Sequence, residues 1–154
     1  DLRRNHESLA KPETMEKQPA FHLAFLVNDL EDAADFYVRV LGGRRGRDAP
    51  NWIDINLHGH QLSLHKGEGL TPIQGYSEVD GHPVPMPHFG VVLDFASWET
   101  LAARIHEHQW PFLLKPRERF MGQPAEQGTF FVQDPSGNTL EFKGLRELHR
   151  IFEV

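Results

Sequence analysis

Three side chains stand out because their types suit a metal ion and their surroundings make them costly otherwise. His22 opens the apolar run His22-Leu-Ala-Phe-Leu-Val, and His88 opens a second one, His88-Phe-Gly-Val-Val-Leu. Glu141 lies between Leu140 and Phe142. A carboxylate on a buried strand is expensive unless it is paired or binds a cation. Two imidazoles and one carboxylate on one cavity form the 2-His-1-carboxylate set, which leaves positions open for substrate and oxygen. Open positions let an ion act as a Lewis acid or activate water. The chain has no cysteine, which excludes thiolate ligands, thiolate nucleophiles and disulfides. Its ten histidines leave imidazole and carboxylate donors, which suit iron, manganese, zinc, nickel or cobalt.

The elements that must position these groups come from an internal repeat. His22 and His88 hold the same place in two segments, each an apolar run followed by a helical pattern and three short strands. In the first half, Leu30, Ala33, Ala34, Tyr37 and Leu41 fall at helical spacing and Gly42-Gly43 supplies the stop. In the second, Ser97 is the expected N-cap, Leu101, Ala102 and Ile105 form the stripe, and Pro111 marks the end. The expected strands are 44–48, 52–57 and 61–65, then 112–116, 129–133 and 139–143. Alternation along the last strand sends Leu140 and Phe142 to the helix layer and Glu141 and Lys143 to the other face. The reading is α+β: two βαβββ modules with paired curved sheets around a metal-containing cavity and both helices outside. A single sheet face left bare by one module is covered by the second.

Domain boundaries follow. Residues 1–19 are polar and read as an N-terminal arm with no secretory signal, Met15 being a candidate internal start. Residues 20–144 form one domain, with modules 20–66 and 87–144 and a Gly/Pro-rich linker 67–86. Residues 145–154 form a tail whose Leu145, Leu148, Ile151 and Phe152 suit a short docking helix. The formal charge of −6 gives no reason to expect nucleic acid or an anionic membrane as partner. No apolar run approaches the roughly 18–20 residues of a membrane span. A cytoplasmic location is the default expectation.

Asp35-Phe-Tyr…Leu41-Gly, Pro87-His-Phe-Gly-Val-Val-Leu and Asp134-Pro-Ser-Gly-Asn-Thr-Leu-Glu-Phe-Lys resemble the vicinal oxygen chelate superfamily. That superfamily includes glyoxalase I, extradiol ring-cleavage dioxygenases, fosfomycin-resistance enzymes and bleomycin-binding proteins. The resemblance spans Ala20 to Gly144. Trp52-Ile-Asp…Gly59-His-Gln and Arg119-Phe-Met-Gly-Gln-Pro-Ala-Glu-Gln are similar to a group of predicted dioxygenases within it. The resemblance implies metal ligands at His22, His88 and Glu141. It implies a divalent metal, Fe(II) first, with manganese, zinc, nickel or cobalt as the other choices. The implied function is a dioxygenase acting on a small oxygenated substrate, aromatic compounds among them. A homodimer is expected, since relatives exchange halves between chains.

Two departures shape that expectation. Glyoxalase I carries a fourth ligand where this chain has Ser63. Extradiol dioxygenases carry a tyrosine where this chain has Phe131, and a histidine upstream that is absent between Phe112 and Glu141. The acid–base group is therefore open, and His65, on the face of Ser63, is the candidate, since histidine titrates near neutrality. Ser63, Arg119, Gln127 and Phe131 are the substrate-binding candidates, Arg119 as a clamp for a carboxylate. The competing readings are a thiol transferase or lyase of the fosfomycin-resistance type, and a metal-free module that sequesters a drug.

Overall fold

The structure is a computed structural model and describes residues 18–153, so nearly all of the expected arm lies outside the described residues. Both halves fold as βαβββ. In the first, β1 (His22–Val27) leads into α1 (Leu30–Asp35), which continues as a π-helical turn over Phe36–Val40. Asp29 caps α1, its carboxylate accepting from the Asp32 amide at 2.9 Å. Strands β2 (Arg44–Ala49), β3 (Trp52–Leu57) and β4 (His60–Lys66) follow, in the sheet order β1-β4-β3-β2 with β1 parallel to β4. The second half repeats the order. Strands β7 (His88–Phe89) and β8 (Val92–Asp94) both run parallel to β11 (Thr139–Leu145), followed by β10 (Gln127–Gln133) and β9 (Leu114–Arg119). Between them lies α2 (Phe95–Glu107).

Several expectations shift. The run after His88 is two short strands, because the backbone at Gly90 presses on β11: a Cβ there would lie 1.6 Å from the Glu141 carbonyl oxygen. The N-cap of α2 is Asp94, which accepts from the Ser97 amide at 3.0 Å and from its hydroxyl at 2.6 Å. Ser97 is thus the capped residue and not the cap. The segment expected as linker contains a hairpin, β5 (Gly75–Val79) and β6 (His82–Met86), closed by Asp80-Gly81 with φ of 49° and 78°. Two consecutive positive φ values are those of a type I′ turn, for which Asp-Gly is a favoured pair. The tail forms a single 3₁₀ turn, Leu148–Arg150, with Leu148 and Phe152 exposed, in place of a docking helix. Leu145 instead ends β11 and is buried.

The modules share one core. Phe25 and Phe89 pack with ring centroids 5.0 Å apart, and Phe36 meets Trp110 at 4.9 Å. Arg104 on α2 donates to the Arg39 carbonyl at the end of the first helix at 2.9 Å. The buried Tyr37 hydroxyl donates to Asp134 at 2.9 Å, and Asp134 also accepts from Ser136 and Asn138 in the turn before β11. Burial pushes the Asp134 carboxyl above its usual range; these donors pull the other way. Among the described residues no helix is long and apolar enough to cross a membrane.

Candidate metal centre

Sheet register decides which candidates share a face. In the second module Phe131 lies opposite Glu141 and Thr129 opposite Lys143. Arg117 lies opposite Thr129 and Arg119 opposite Gln127 on the other side of β10. Alternation places all of these on the face away from α2, while Phe130, Phe142, Gly128 and Gly144 take the helix side. His88 joins them: its Nε2 is 3.4 Å from Glu141 Oε1. Two donors about 2.1 Å from a shared ion sit about this far apart. Glu141 Oε2 accepts from the Thr129 hydroxyl at 2.6 Å, which leaves Oε1 turned toward His88. The Phe131 ring, itself buried, stands edge-on to the His88 imidazole at 5.1 Å.

The tautomer of His88 follows from its partner. Nδ1 lies 2.9 Å from the Pro85 carbonyl oxygen, which only accepts, so Nδ1 carries a proton and Nε2, facing Glu141 Oε1, is the nitrogen left for an ion. His22 is prepared the same way on the first sheet. Its Nδ1 is 2.9 Å from Gln61 Oε1, and Gln61 Nε2 donates to Asp54 at 3.1 Å. An ionised Asp54 only accepts, so the amide of Gln61 must turn its oxygen to His22. Asp54 is in turn 3.7 Å from Arg47. Ser63 and His65 lie on this same face, the hydroxyl 3.1 Å from His65 Nε2.

His88 and Glu141 are therefore brought together, and Arg119, Gln127 and Phe131 share their face. His22, Ser63 and His65 lie on the other sheet. The expected convergence of His22, His88 and Glu141 is not found within one chain: among the described residues no three His, Asp or Glu side chains form a metal group. The reason is how β1 meets the second module. The Leu26 carbonyl accepts from Asn138 at 3.0 Å, and Asn138 immediately precedes Thr139, the partner of His88. His22 is four residues back along β1, about 13 Å at ~3.3 Å per residue. A surface cavity of about 680 Å³ is lined by Asn28, Glu31, Arg45 and Asp48 and holds none of these candidates.

Sequence reasoning missed four contributors. Thr129 and Pro85 orient Glu141 and His88. Asp80, at the tip of the β5–β6 hairpin, reaches Arg117 Nη1 at 3.1 Å and Arg119 Nη2 at 3.2 Å. The hydrogen bond from Arg119, with the charge of both guanidiniums, holds the Asp80 carboxyl below its usual range. Arg117, the fourth, was hidden because strand β9 was expected to end at Pro116, which left Arg117 and Arg119 in a loop. Asp80-Gly81 between two short alternating runs was the available signal for the hairpin.

The donor set fits a divalent ion: imidazole nitrogen and carboxylate oxygen, each oriented by a further hydrogen bond. Solved structures share this fold. A crystal structure of a glyoxalase/bleomycin resistance protein/dioxygenase from Alicyclobacillus acidocaldarius is 32% identical, with a TM-score of 0.71, covering 94% of this chain and 99% of that one. A fosfomycin resistance protein from Listeria monocytogenes shares the fold at 13% identity and a TM-score of 0.64, over 88% of this chain and 98% of that one. Lactoylglutathione lyase from Agrobacterium tumefaciens does so at 17% identity and 0.60, over 88% and 97%. No curated protein matches. The model of the Glyoxalase/Bleomycin resistance protein/Dioxygenase superfamily matches residues 20–142, and with the repeated βαβββ topology this places the chain in that superfamily, the vicinal oxygen chelate proteins.

Proposed function

We propose that the protein is a metal-dependent dioxygenase acting on a small oxygenated substrate, its ion held by His88 and Glu141 of one copy and His22 of a second. Fe(II) is the proposed ion, the one that the 2-His-1-carboxylate set serves in oxygen chemistry. The observation that carries the reading is the matched preparation of the two imidazoles. Each has Nδ1 committed to an acceptor oxygen and Nε2 left to coordinate. A histidine serving only to fill a sheet surface needs no such arrangement. A second copy is invoked because His22 stands exposed, about 13 Å along its strand from the end that meets the His88 side.

When bound, the ion would polarise the substrate's vicinal oxygens and hold dioxygen beside them. The chain's own groups do the rest. Thr129 fixes which carboxylate oxygen of Glu141 faces the ion. Phe131 limits rotation of His88 and keeps water from its face. His65, hydrogen-bonded to Ser63, sits on the His22 face and travels with it as the group that holds or accepts a proton.

The test is complementation. His22→Ala and Glu141→Ala chains should each bind no ion at stoichiometry. A purified heterodimer of the two has one intact centre and should bind one Fe(II) per two chains. Metal recovered in neither the heterodimer nor the wild type overturns the metalloenzyme reading. Full binding by a wild-type monomer overturns the shared site. Oxygen uptake with a panel of vicinal diols and hydroxyketones then checks the reaction: turnover that proceeds without oxygen, by addition of a thiol, would replace dioxygenase with transferase.

A further inference from the structure

We propose that Arg117 and Arg119 form a binding site for an oxyanion group of the substrate, a carboxylate foremost, and that Asp80 occupies that place in the unliganded protein. The role as a substrate subsite rests on the metal-centre reading above; anion binding itself does not.

The two arginines sit at alternate positions of β9, so both guanidiniums lie on the face that carries Glu141. Thr129 links the two groups: it is the strand partner of Arg117 and donates to Glu141. Arg117, Thr129 and Lys143 form one cross-strand row, which puts a third cation on the same side. Strands lie about 4.8 Å apart, so the row spans roughly 10 Å from Arg117 to β11. A small molecule anchored at His88 and Glu141 would reach the arginines with its far end.

The arginines are also under-used. A guanidinium offers five donors in a fixed fork. Arg117 spends Nη1 on Asp80, while its Nε and Nη2 are buried with no hydrogen-bond partner among the described residues. Arg119 meets Asp80 through Nη2 and through Nε. Two half-buried cations thus share one carboxylate, and that carboxylate is not part of the sheet. It comes from the tip of a hairpin and is itself exposed. The nearby Glu118 and Glu126 are engaged with Arg146. Buried donors without acceptors are costly, and planar bidentate oxyanions are what an arginine fork matches. An incoming carboxylate displaces Asp80, and the hairpin that carries Asp80 is the element that responds.

Malonate binding to EDTA-treated protein, followed by calorimetry, tests this without any metal. Asp80→Asn should bind malonate at least ten-fold tighter than wild type. Adding Arg117→Gln to Asp80→Asn should remove that gain, and Arg119→Lys, which keeps charge and loses the fork, should reduce it. If Asp80→Asn binds no tighter, or the gain survives Arg117→Gln, the anion site is wrong. A hairpin merely loosened by Asp80→Asn is separated by circular dichroism and by the Arg119→Lys series, which such loosening would not order. In the metal-loaded enzyme, substrates carrying a carboxylate should show kcat/KM at least ten-fold above their amides. Equal values for acid and amide overturn the subsite role. Absence of all turnover together with intact malonate binding marks failure of the metal reading alone.

Discussion

The two modules share a topology and fill the space between helix and sheet with different residues. In the first, α1 turns Ala33 and Ala34 to the core, its π-helical continuation adds the large Phe36 and Tyr37, and the strands supply Ile53, Ile55, Leu62 and Leu64. In the second, the helix contributes Trp98 and the strands step back: a Cβ at Gly128 or Gly144 would lie 2.5 Å or 2.4 Å from the Trp98 side chain. The opposite faces differ more sharply. At one register position the first module has Ser63, pairing with Ala24, and the second has Glu141, with Gly90 pressed against it. Duplication of a fold therefore did not duplicate the side chains on this face; the carboxylate at that position belongs to one half only.

The sharpest way to break this contrast is to remove each member. Glu141→Ala should abolish stoichiometric binding of Fe(II) or Mn(II), measured by elemental analysis after gel filtration. Its circular dichroism should remain that of the wild type, because the vacated site is polar and reached by solvent. Ser63→Ala should leave metal content unchanged, a neutral hydroxyl being a poor ligand. If both variants lose the ion, the two halves contribute equally and the asymmetry drawn from their registers is wrong.

The packing contrast predicts the next largest effect. Trp98 is 4% exposed and donates its indole N–H to the Phe142 carbonyl at 3.0 Å. Trp98→Ala should cost about 3–5 kcal/mol, a cavity opposite two glycines having no side chain able to fill it. Urea unfolding reads this directly. A loss below about 1 kcal/mol would mean that the sheet collapses onto the helix, and that Gly128 and Gly144 do not depend on Trp98.

Much of this was legible in residue order. The repeat of His22 and His88 and the Asp134-Pro-Ser-Gly-Asn turn gave both modules, because apolar runs and turn residues act locally. Arg119 and Gln127 fall outside the expected strands and instead pair across β9 and β10. What escaped was non-local. Nothing in the run after His88 tells that Gly90 will meet the Glu141 backbone, since that contact joins distant strands. Asp94 outcompeted Ser97 as cap because helix α2 starts directly off β8, with no intervening turn. The separation of His22 from His88 is set by how β1 abuts residues 136–138, a contact between modules that neither half encodes alone. The hairpin was concealed by prolines at 83 and 85, which are tolerated there because the pair forms a two-stranded ribbon in which both strands are edges.

The smallest effect concerns how the two imidazoles are held. His88 is fixed by a backbone carbonyl, which no substitution of that residue removes. His22 is fixed by a side chain, Gln61, whose amide is turned by Asp54. The first histidine is therefore the one whose positioning is open to mutation. Gln61→Ala removes the acceptor at Nδ1, frees the ring to rotate and lets either tautomer form. Metal affinity should fall about 10–100-fold, the usual cost of losing such an orienting partner. Asp54→Asn should fall between this variant and the wild type. An asparagine at 54 can donate as well as accept, so it no longer dictates which end of the Gln61 amide faces His22, yet it keeps the volume and the contact. Competition with a calibrated chelator gives the affinities, and circular dichroism checks that the first sheet is intact. Unchanged affinity in Gln61→Ala would show that His22 either needs no orientation or is not a ligand. The heterodimer experiment separates those two, since only a true ligand is rescued by a second copy.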